Sequence, residues 1–321
     1  MVYLFFVFSL MLKYIIRMPK LIIMPDVTDI KYFLSKGVNK SSNDESNKIR
    51  ENIITNMLNL DDDYFNDTEY GVQWKDLREK FMNVLFTICK LPYKQVDIKH
   101  MGGMTHNYDF RLQFLKEDNS LSKEVKLEFK HNNTNVKDLV QFLELYDKDC
   151  KSTFDVCDIS YAEFYYDNYL DKYIECDSEI KESKPSKEVY LKNVCDIKYK
   201  HPFFKDLYNN KSNKIKEKKQ VANESIKTYL QNYNSTFRFE KISEKIKESQ
   251  TDKVFILWDC ENFHTQSINT DSLKIKNIIN VDDLYFDVLV DGLEYNIRIR
   301  LNWGNNNGIA NPRWKFTFIN K

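Results

Sequence analysis

The sequence predicts a mixed α/β (α+β) protein, a β-sheet flanked by helices, followed by a β-rich C-terminal part. Three stretches carry this expectation. Residues 107–130 alternate apolar and polar side chains with period two on either side of a polar turn, the mark of two half-buried strands. Residues 74–90 set Trp74, Leu77, Phe81, Val84, Leu85 and Ile88 at helical spacing, with Pro92 beyond the end. From about Asp252 onward the chain becomes a series of short β-rich runs.

Composition narrows the class. The 321 residues are 42% hydrophobic, enough for a sizeable core, and the net charge is zero. Any contact with nucleic acid must therefore come from local patches and not from the field of the whole molecule. The bias toward Lys, Asn, Ile, Tyr and Phe, with only seven Gly, is that of AT-rich coding. The six cysteines, at 89, 150, 157, 176, 195 and 260, form no Cys-x-x-Cys and no paired Cys/His spacing. The expectation is a reduced, intracellular protein without a zinc site.

In chain order, residues 1–17 are apolar apart from Lys13 and Arg17, too short and too interrupted to span a bilayer. Three readings stand: a membrane-proximal anchor, a buried element, or sequence upstream of a start at Met18 or Met24, the last being preferred because Met18-Pro19-Lys20 reads as an ordinary beginning. Membrane association is expected only if residues 1–17 are retained. Residues 41–46 read as a loop, 49–60 as a short helix and 61–67 as a solvated acidic loop. After the helix at 74–90, a first strand is expected at 93–99, with Gly102-Gly103 leading into the hairpin. A helix is then predicted over 136–148, with Val136, Leu139, Val140, Leu143 and Tyr146 as its stripe. The aromatic run at 154–175 suits a packing face better than a base-stacking platform. Residues 201–209 and 225–247 read as helices, and the lysine-rich 211–219 as a basic stretch able to touch phosphates or to stay solvated. Strands are expected at 254–258 and 315–319, and a hairpin at 286–303 turning tightly at Asp291-Gly292. The domain reading is 1–17 apolar segment, 18–73 helical region, 74–180 core, 181–251 lysine-rich helical connection and 252–321 β-rich region.

The chemistry concentrates on the hairpin. Tyr108, Phe110, Leu112 and Phe114 share one face of the first arm, and Val125, Leu127 and Phe129 one face of the second. A turn centred between Asp118 and Asn119 sets Asp109 opposite Glu128, and a slip of one residue would put the apolar faces on opposite sides. Directly opposed carboxylates, about 5 Å apart at Cβ, ask for a cation between them. Lys130 lies two residues on, on the Glu128 face. Two hard oxygen ligands and an ammonium suit Mg²⁺ acting on phosphate.

An Asp, a turn-sized gap and a Glu-x-Lys on the next strand resemble the PD-(D/E)XK nuclease superfamily, whose members share the restriction-endonuclease-like fold. The resemblance maps the metal-binding Asp to Asp109, the second acid to Glu128 and the catalytic Lys to Lys130, with Tyr108 in place of the Pro. A second Glu-x-Lys, Glu124-Val-Lys126, sits earlier on the same strand; Glu128-Phe129-Lys130 is preferred for its register. The Phe129 backbone carbonyl is implied as a further metal ligand, and Glu79 as the acid such enzymes draw from a preceding helix. The predicted order, helix, three strands, helix, matches the αβββα start of that fold. Residues 298–314, Arg-Ile-Arg-Leu-Asn-Trp-Gly-Asn-Asn-Asn-Gly-Ile-Ala-Asn-Pro-Arg-Trp with the preceding Ile, resemble the C-terminal segment of uncharacterised proteins of large DNA viruses with a nuclease-like core; in all, the resemblance covers about two-fifths of the chain.

What this implies is a Mg²⁺-dependent DNA endonuclease, with Mn²⁺ as a substitute, selective for a sequence or structure because the balanced charge disfavours indiscriminate binding. Arg298, Arg300, Asn302, Asn305, Asn306, Asn307 and Arg313 are the expected DNA-reading residues, since Arg and Asn suit bidentate contacts with base edges. DNA is the expected partner, with a homodimer open and no small-molecule cofactor. The expected location is host cytoplasm, host nucleus or virion. The competing reading is a non-catalytic DNA-binding or structural protein that retains the fold.

Overall fold

A computed structural model describes residues 25–34, 40–59, 66, 69–101, 106–146, 157–196, 198–304 and 308–321. The apolar segment 1–17, the Gly102-Gly103 connection and Asn305, Asn306 and Asn307 lie outside the described residues. The protein is mixed α/β, with two five-stranded, mostly antiparallel sheets and flanking helices. The chain forms two compact units: Met1–Asn132 with Ile256–Thr265, and Asn133–Phe255 with Gln266–Lys321. Their boundary cuts across the expected core of 74–180.

In the first unit, α1 (Lys31–Leu34), α2 (Lys40–Asn56) and α3 (Gly71–Ile88) precede β1 (Gln95–His100), β2 (Phe110–Leu115) and β3 (Leu121–His131). With β5 (Lys253–Trp258) and β6 (Phe263–Gln266), these strands order β1-β2-β3-β5-β6. Helix α3 buries Trp74, Leu77, Phe81, Val84, Leu85 and Ile88, the stripe read from the sequence. The Trp74 indole donates to the Val27 carbonyl at 2.8 Å. Helix α2 starts well before the expected 49, running through the stretch taken as a loop. Phe33 gathers Phe129, Trp258 and Phe263 around it at centroid distances of 5.6 to 6.2 Å. The β2/β3 register is the predicted one from Phe110↔Leu127 to Phe114↔Lys123, shifting only beside the turn at Leu115. Phe110, Leu112, Phe114, Val125 and Leu127 are all buried, so the parity that fixes the hairpin is the burial of its apolar face.

The second unit departs most from expectation. Over 136–146, the described part of the helix predicted at 136–148, a 3₁₀ turn, Val136–Asp138, is followed instead by β4 (Leu143–Tyr146), which pairs antiparallel with β10 (Pro312–Ile319). The apparent stripe fails because Val140 is 85% exposed whereas its neighbour Phe142 is buried, stacked on Phe318 at 4.2 Å. The order αβββα is therefore not completed, and a restriction-endonuclease-like core does not follow from the topology. β7 (Lys274–Val281), β8 (Tyr285–Asp291) and β9 (Asn296–Trp303) complete the sheet β4-β10-β9-β8-β7.

The β8/β9 hairpin forms, but its turn is wider than the tight one expected, because β9 resumes only at Asn296. Gly292 has φ +80°, and a Cβ there would meet the Ser272 carbonyl, so contact with 272 shapes the loop. Six helices belong to this unit among the described residues: α4 (Tyr161–Asn168), α5 (Leu170–Glu175), α6 (Lys187–Asn193), α7 (Pro202–Asn209), α8 (Ile215–Tyr233) and α9 (Phe239–Gln250). The single helix expected at 225–247 is thus two, separated by a 3₁₀ turn at Asn234–Thr236. The aromatic run is core: Tyr161, Phe164, Tyr165, Tyr169 and Tyr173 are buried. Tyr161 is built into a chain of hydrogen bonds, accepting from the Trp303 indole at 2.9 Å and bonding the Ser225 hydroxyl at 2.7 Å. A buried ion pair, Lys218–Asp177 at 2.6 Å, anchors α8, with Lys218 also donating to the Asn210 carbonyl.

Candidate active site

The hairpin delivers Asp109, Glu128 and Lys130 to one end of the first unit's sheet. Asp109 stands at the threshold of β2, where its N–H donates to the Leu127 carbonyl and its carbonyl accepts from Met101 N. Its side chain reaches along β3, and Oδ2 accepts from Phe129 N at 2.8 Å. The recorded contribution of Phe129 is thus an N–H that steadies Asp109. Glu128, alternate in phase with Lys130 along β3, is only 9% exposed and accepts from Lys130 Nζ at 2.6 Å through Oε1. The competing Glu-x-Lys lies toward the turn, where Glu124 accepts from Gln113 at 2.7 Å and is exposed.

Glu79 does not join this group; it is exposed on α3. A carboxylate whose charge does reach the group is Glu51, on α2. Its charge raises the proton affinity of both Asp109 and Lys130. Its Oε2 lies 2.8 Å from His100 Nε2 at the end of β1. Sequence reading missed Glu51 because its helix was chosen by apolar spacing alone.

Electrostatics mark the cluster. Desolvation pushes the Asp109 pKa up to about 6, and the neighbouring charges of Glu128 and Glu51 push the same way. Lys130 and the Phe129 N–H pull against them without prevailing. For Lys130, burial favours the neutral amine, but Glu128 and Asp109 outweigh it and hold the ammonium above its ordinary pKa. His131, next on the strand, is held down to about 4 by burial and by Arg50, so it stays neutral near pH 7. Three carboxylates against one lysine leave a site short of positive charge.

The oxygen donors Asp109, Glu128 and Glu51 fit a hard divalent cation in kind. Among the described residues, however, no three His, Cys, Asp or Glu side chains already form a metal cage. Each carboxylate already has a protein partner: Phe129 N, Lys130 Nζ and His100 Nε2.

The expected DNA-reading residues that are described fall on the outer face of the second unit's sheet. Arg298 binds Asp287 through two hydrogen bonds of 2.8 and 3.0 Å and lies over the Tyr285 ring at 3.7 Å. Arg313 donates to Glu144 at 2.7 Å, and Lys315 lies 3.4 Å from the same carboxylate. Asn302, opposite Arg313, donates to the Trp303 carbonyl. Arg300 is exposed and stands opposite Lys315 on one side and Tyr285 on the other.

No protein-family model matches the sequence, and no curated protein matches it. Among the described residues no helix is long and apolar enough to cross a membrane. Cys89, Cys157, Cys176, Cys195 and Cys260 form no disulfide.

Proposed function

We propose that the protein is a metal-dependent DNA endonuclease of viral type, with Asp109, Glu128, Glu51 and Lys130 as its active site. The observation that carries this reading is the carboxylate cluster around one lysine, in which burial holds Asp109 at a pKa of about 6. Asp109, Glu128 and Glu51 would hold the cation, Mg²⁺ or Mn²⁺. When bound, such an ion supplies Lewis-acid polarisation of the phosphate and lowers the pKa of bound water. Lys130 orients the attacking water and steadies charge developing on the phosphoryl oxygens, a role suited to an ammonium fixed by Glu128. The Phe129 N–H holds the Asp109 carboxylate in place. The attacking water gives up one proton to solvent as its oxygen bonds to phosphorus, the P–O bond to the leaving sugar oxygen breaks, and that oxygen takes up a proton from solvent.

The outer face of the second unit's sheet serves DNA binding in this reading. Asp287 and Glu144 already engage Arg298, Arg313 and Lys315, so Arg300 is the side chain best placed to meet a phosphate or base edge. Each phosphate contact of this kind adds about one unit to the salt dependence of binding.

A second reading has its own observation. The Glu128–Lys130 pair at 2.6 Å satisfies both groups without a metal, as in a non-catalytic DNA-binding protein. Cleavage of supercoiled and linear duplex DNA with Mg²⁺ separates the two. The nuclease reading expects cutting that Asp109→Asn and Lys130→Met each reduce at least a hundredfold, with Arg300→Ala weakening binding at physiological salt. Intact DNA binding with no cutting by the parent protein would establish the second reading.

A further inference from the structure

The stretch 211–219 puts its five lysines to different uses. Lys218 is buried against Asp177 at 2.6 Å, and Lys211 lies over the Tyr208 ring at 3.9 Å. Lys216 and Lys219, in the first turns of α8, are exposed. Neither has a carboxylate partner among the described residues. They share one face of the helix with Asn223 and Lys227, at spacings of three and four residues.

That face forms one wall of a groove of about 480 Å³, within the range of small-ligand sites. Asp283 and Leu284, in the turn between β7 and β8, form the other wall. Two carboxylates line the groove: Asp283, which Lys227 holds at 2.9 Å, and Glu224. Three lysines against two carboxylates leave it positive, with the Asn223 amide beside them. An ammonium only donates, so the ligand such a groove suits is an anion. The groove also leads somewhere. Leu284 is followed by Tyr285, the ladder partner of Arg300, and Arg298 lies over the Tyr285 ring. The Asp282 N–H donates to the Tyr285 carbonyl at 2.8 Å and fixes the turn. The second wall of the groove thus runs on to the sheet face where Arg300 stands exposed.

We propose that the α8 groove binds the sugar-phosphate backbone of duplex DNA through Lys216 and Lys219, on one track with Arg300. The proposal rests on DNA binding, which both readings above share, and not on cleavage. A run of phosphates, unlike a single anion, reaches from the groove to Arg300. Lysines on phosphates set the position of a duplex and read no base sequence, so these two hold DNA of any sequence.

The test uses the full chain and a short DNA duplex of random sequence, in EDTA so that cutting does not intrude. Binding is followed by fluorescence anisotropy across a salt series. Both lysines are exposed, so replacing them leaves the fold intact. Lys216→Gln with Lys219→Gln is expected to weaken binding about tenfold at low salt and to lower the salt slope by about two. Arg300→Ala added to the pair is expected to lower the slope by about one more. Glu224→Gln is expected to tighten binding about twofold. Lys241→Gln with Lys245→Gln on α9, where Glu244 and Glu248 pair with the two lysines, makes the same change in net charge and is expected to leave the slope as it is. A slope unaltered by the Lys216 and Lys219 changes, or altered equally by the Lys241 and Lys245 changes, would overturn the groove while leaving DNA binding in place. Duplex RNA bound more tightly than DNA through the same two lysines would overturn DNA as the occupant. If the parent binds no duplex DNA at any salt, the DNA reading fails and the groove falls with it.

Discussion

Asp109 is a carboxylate that the fold holds against its own charge. Its pKa, near 4 in an unfolded chain, rises to about 6 in the native protein, mainly through desolvation. The native state therefore binds the proton more tightly than the unfolded state. This contribution to stability is fully present below about pH 4 and is lost as pH rises through about 6. The shift bounds the effect at about 3 kcal/mol. In EDTA, Asp109→Asn is expected to be more stable than the parent at pH 7.5 by up to that amount, the gap closing below pH 4, as measured by urea denaturation. A parent more stable than Asp109→Asn at pH 7.5 would mean that Lys130 already balances the site. That Asp109, Glu128 and Lys130 come together was legible in the sequence because alternation and turn position are local signals. Glu51 and His100 were not, since a helix and an edge strand far apart in sequence meet only through tertiary packing.

Among the elements, β2 and β3 were readable for a simple reason: a period of two has one solution when only one face can be buried. Residues 136–148 allowed two. Leu139, Val140 and Leu143 fit a helical stripe, while Phe142, just before β4, and Leu143, within it, are buried by a strand that exists only because β10 pairs with it. No local propensity could rank a partner more than a hundred residues away. Two substitutions separate the alternatives in solution. Val140→Asp is expected to change stability by less than about 0.5 kcal/mol, because Val140 is exposed. Phe142→Ala is expected to cost about 3 kcal/mol, because it removes the stacked Phe142–Phe318 pair. A helix with the sequence-read stripe would reverse the order of the two effects, and chemical denaturation of both variants would show it.

For the whole molecule, the first unit is discontinuous: the chain leaves it after Asn132 and returns at Ile256. The expected domain boundaries failed here because composition changes gradually along the chain, whereas this division depends on which strands pair. The returning segment is structural. Its Trp258 indole donates to the Phe33 carbonyl at 2.8 Å, and Phe263 meets Phe81 at 5.6 Å. A fragment of residues 25–132 is therefore expected to lack a cooperative thermal transition and to bind a hydrophobic dye, even though it contains Asp109, Glu128, Lys130, Glu51 and His100. A sharp transition in that fragment, followed by circular dichroism, would show that β5 and β6 are dispensable.

The same discontinuity matters on the ribosome. β3 carries Glu128, Phe129 and Lys130, and its neighbour in the finished sheet is β5. Between the emergence of the two strands lie over a hundred residues, roughly six to twenty-four seconds of synthesis at typical elongation rates. Throughout that interval the strand bearing the acids and the lysine is an open edge, able to pair with a neighbouring nascent chain. The alternating charges of Glu124, Lys126, Glu128 and Lys130 along it are what such an edge needs to stay single until its partner arrives. Residues read as catalytic thus also guard the chain during its own making.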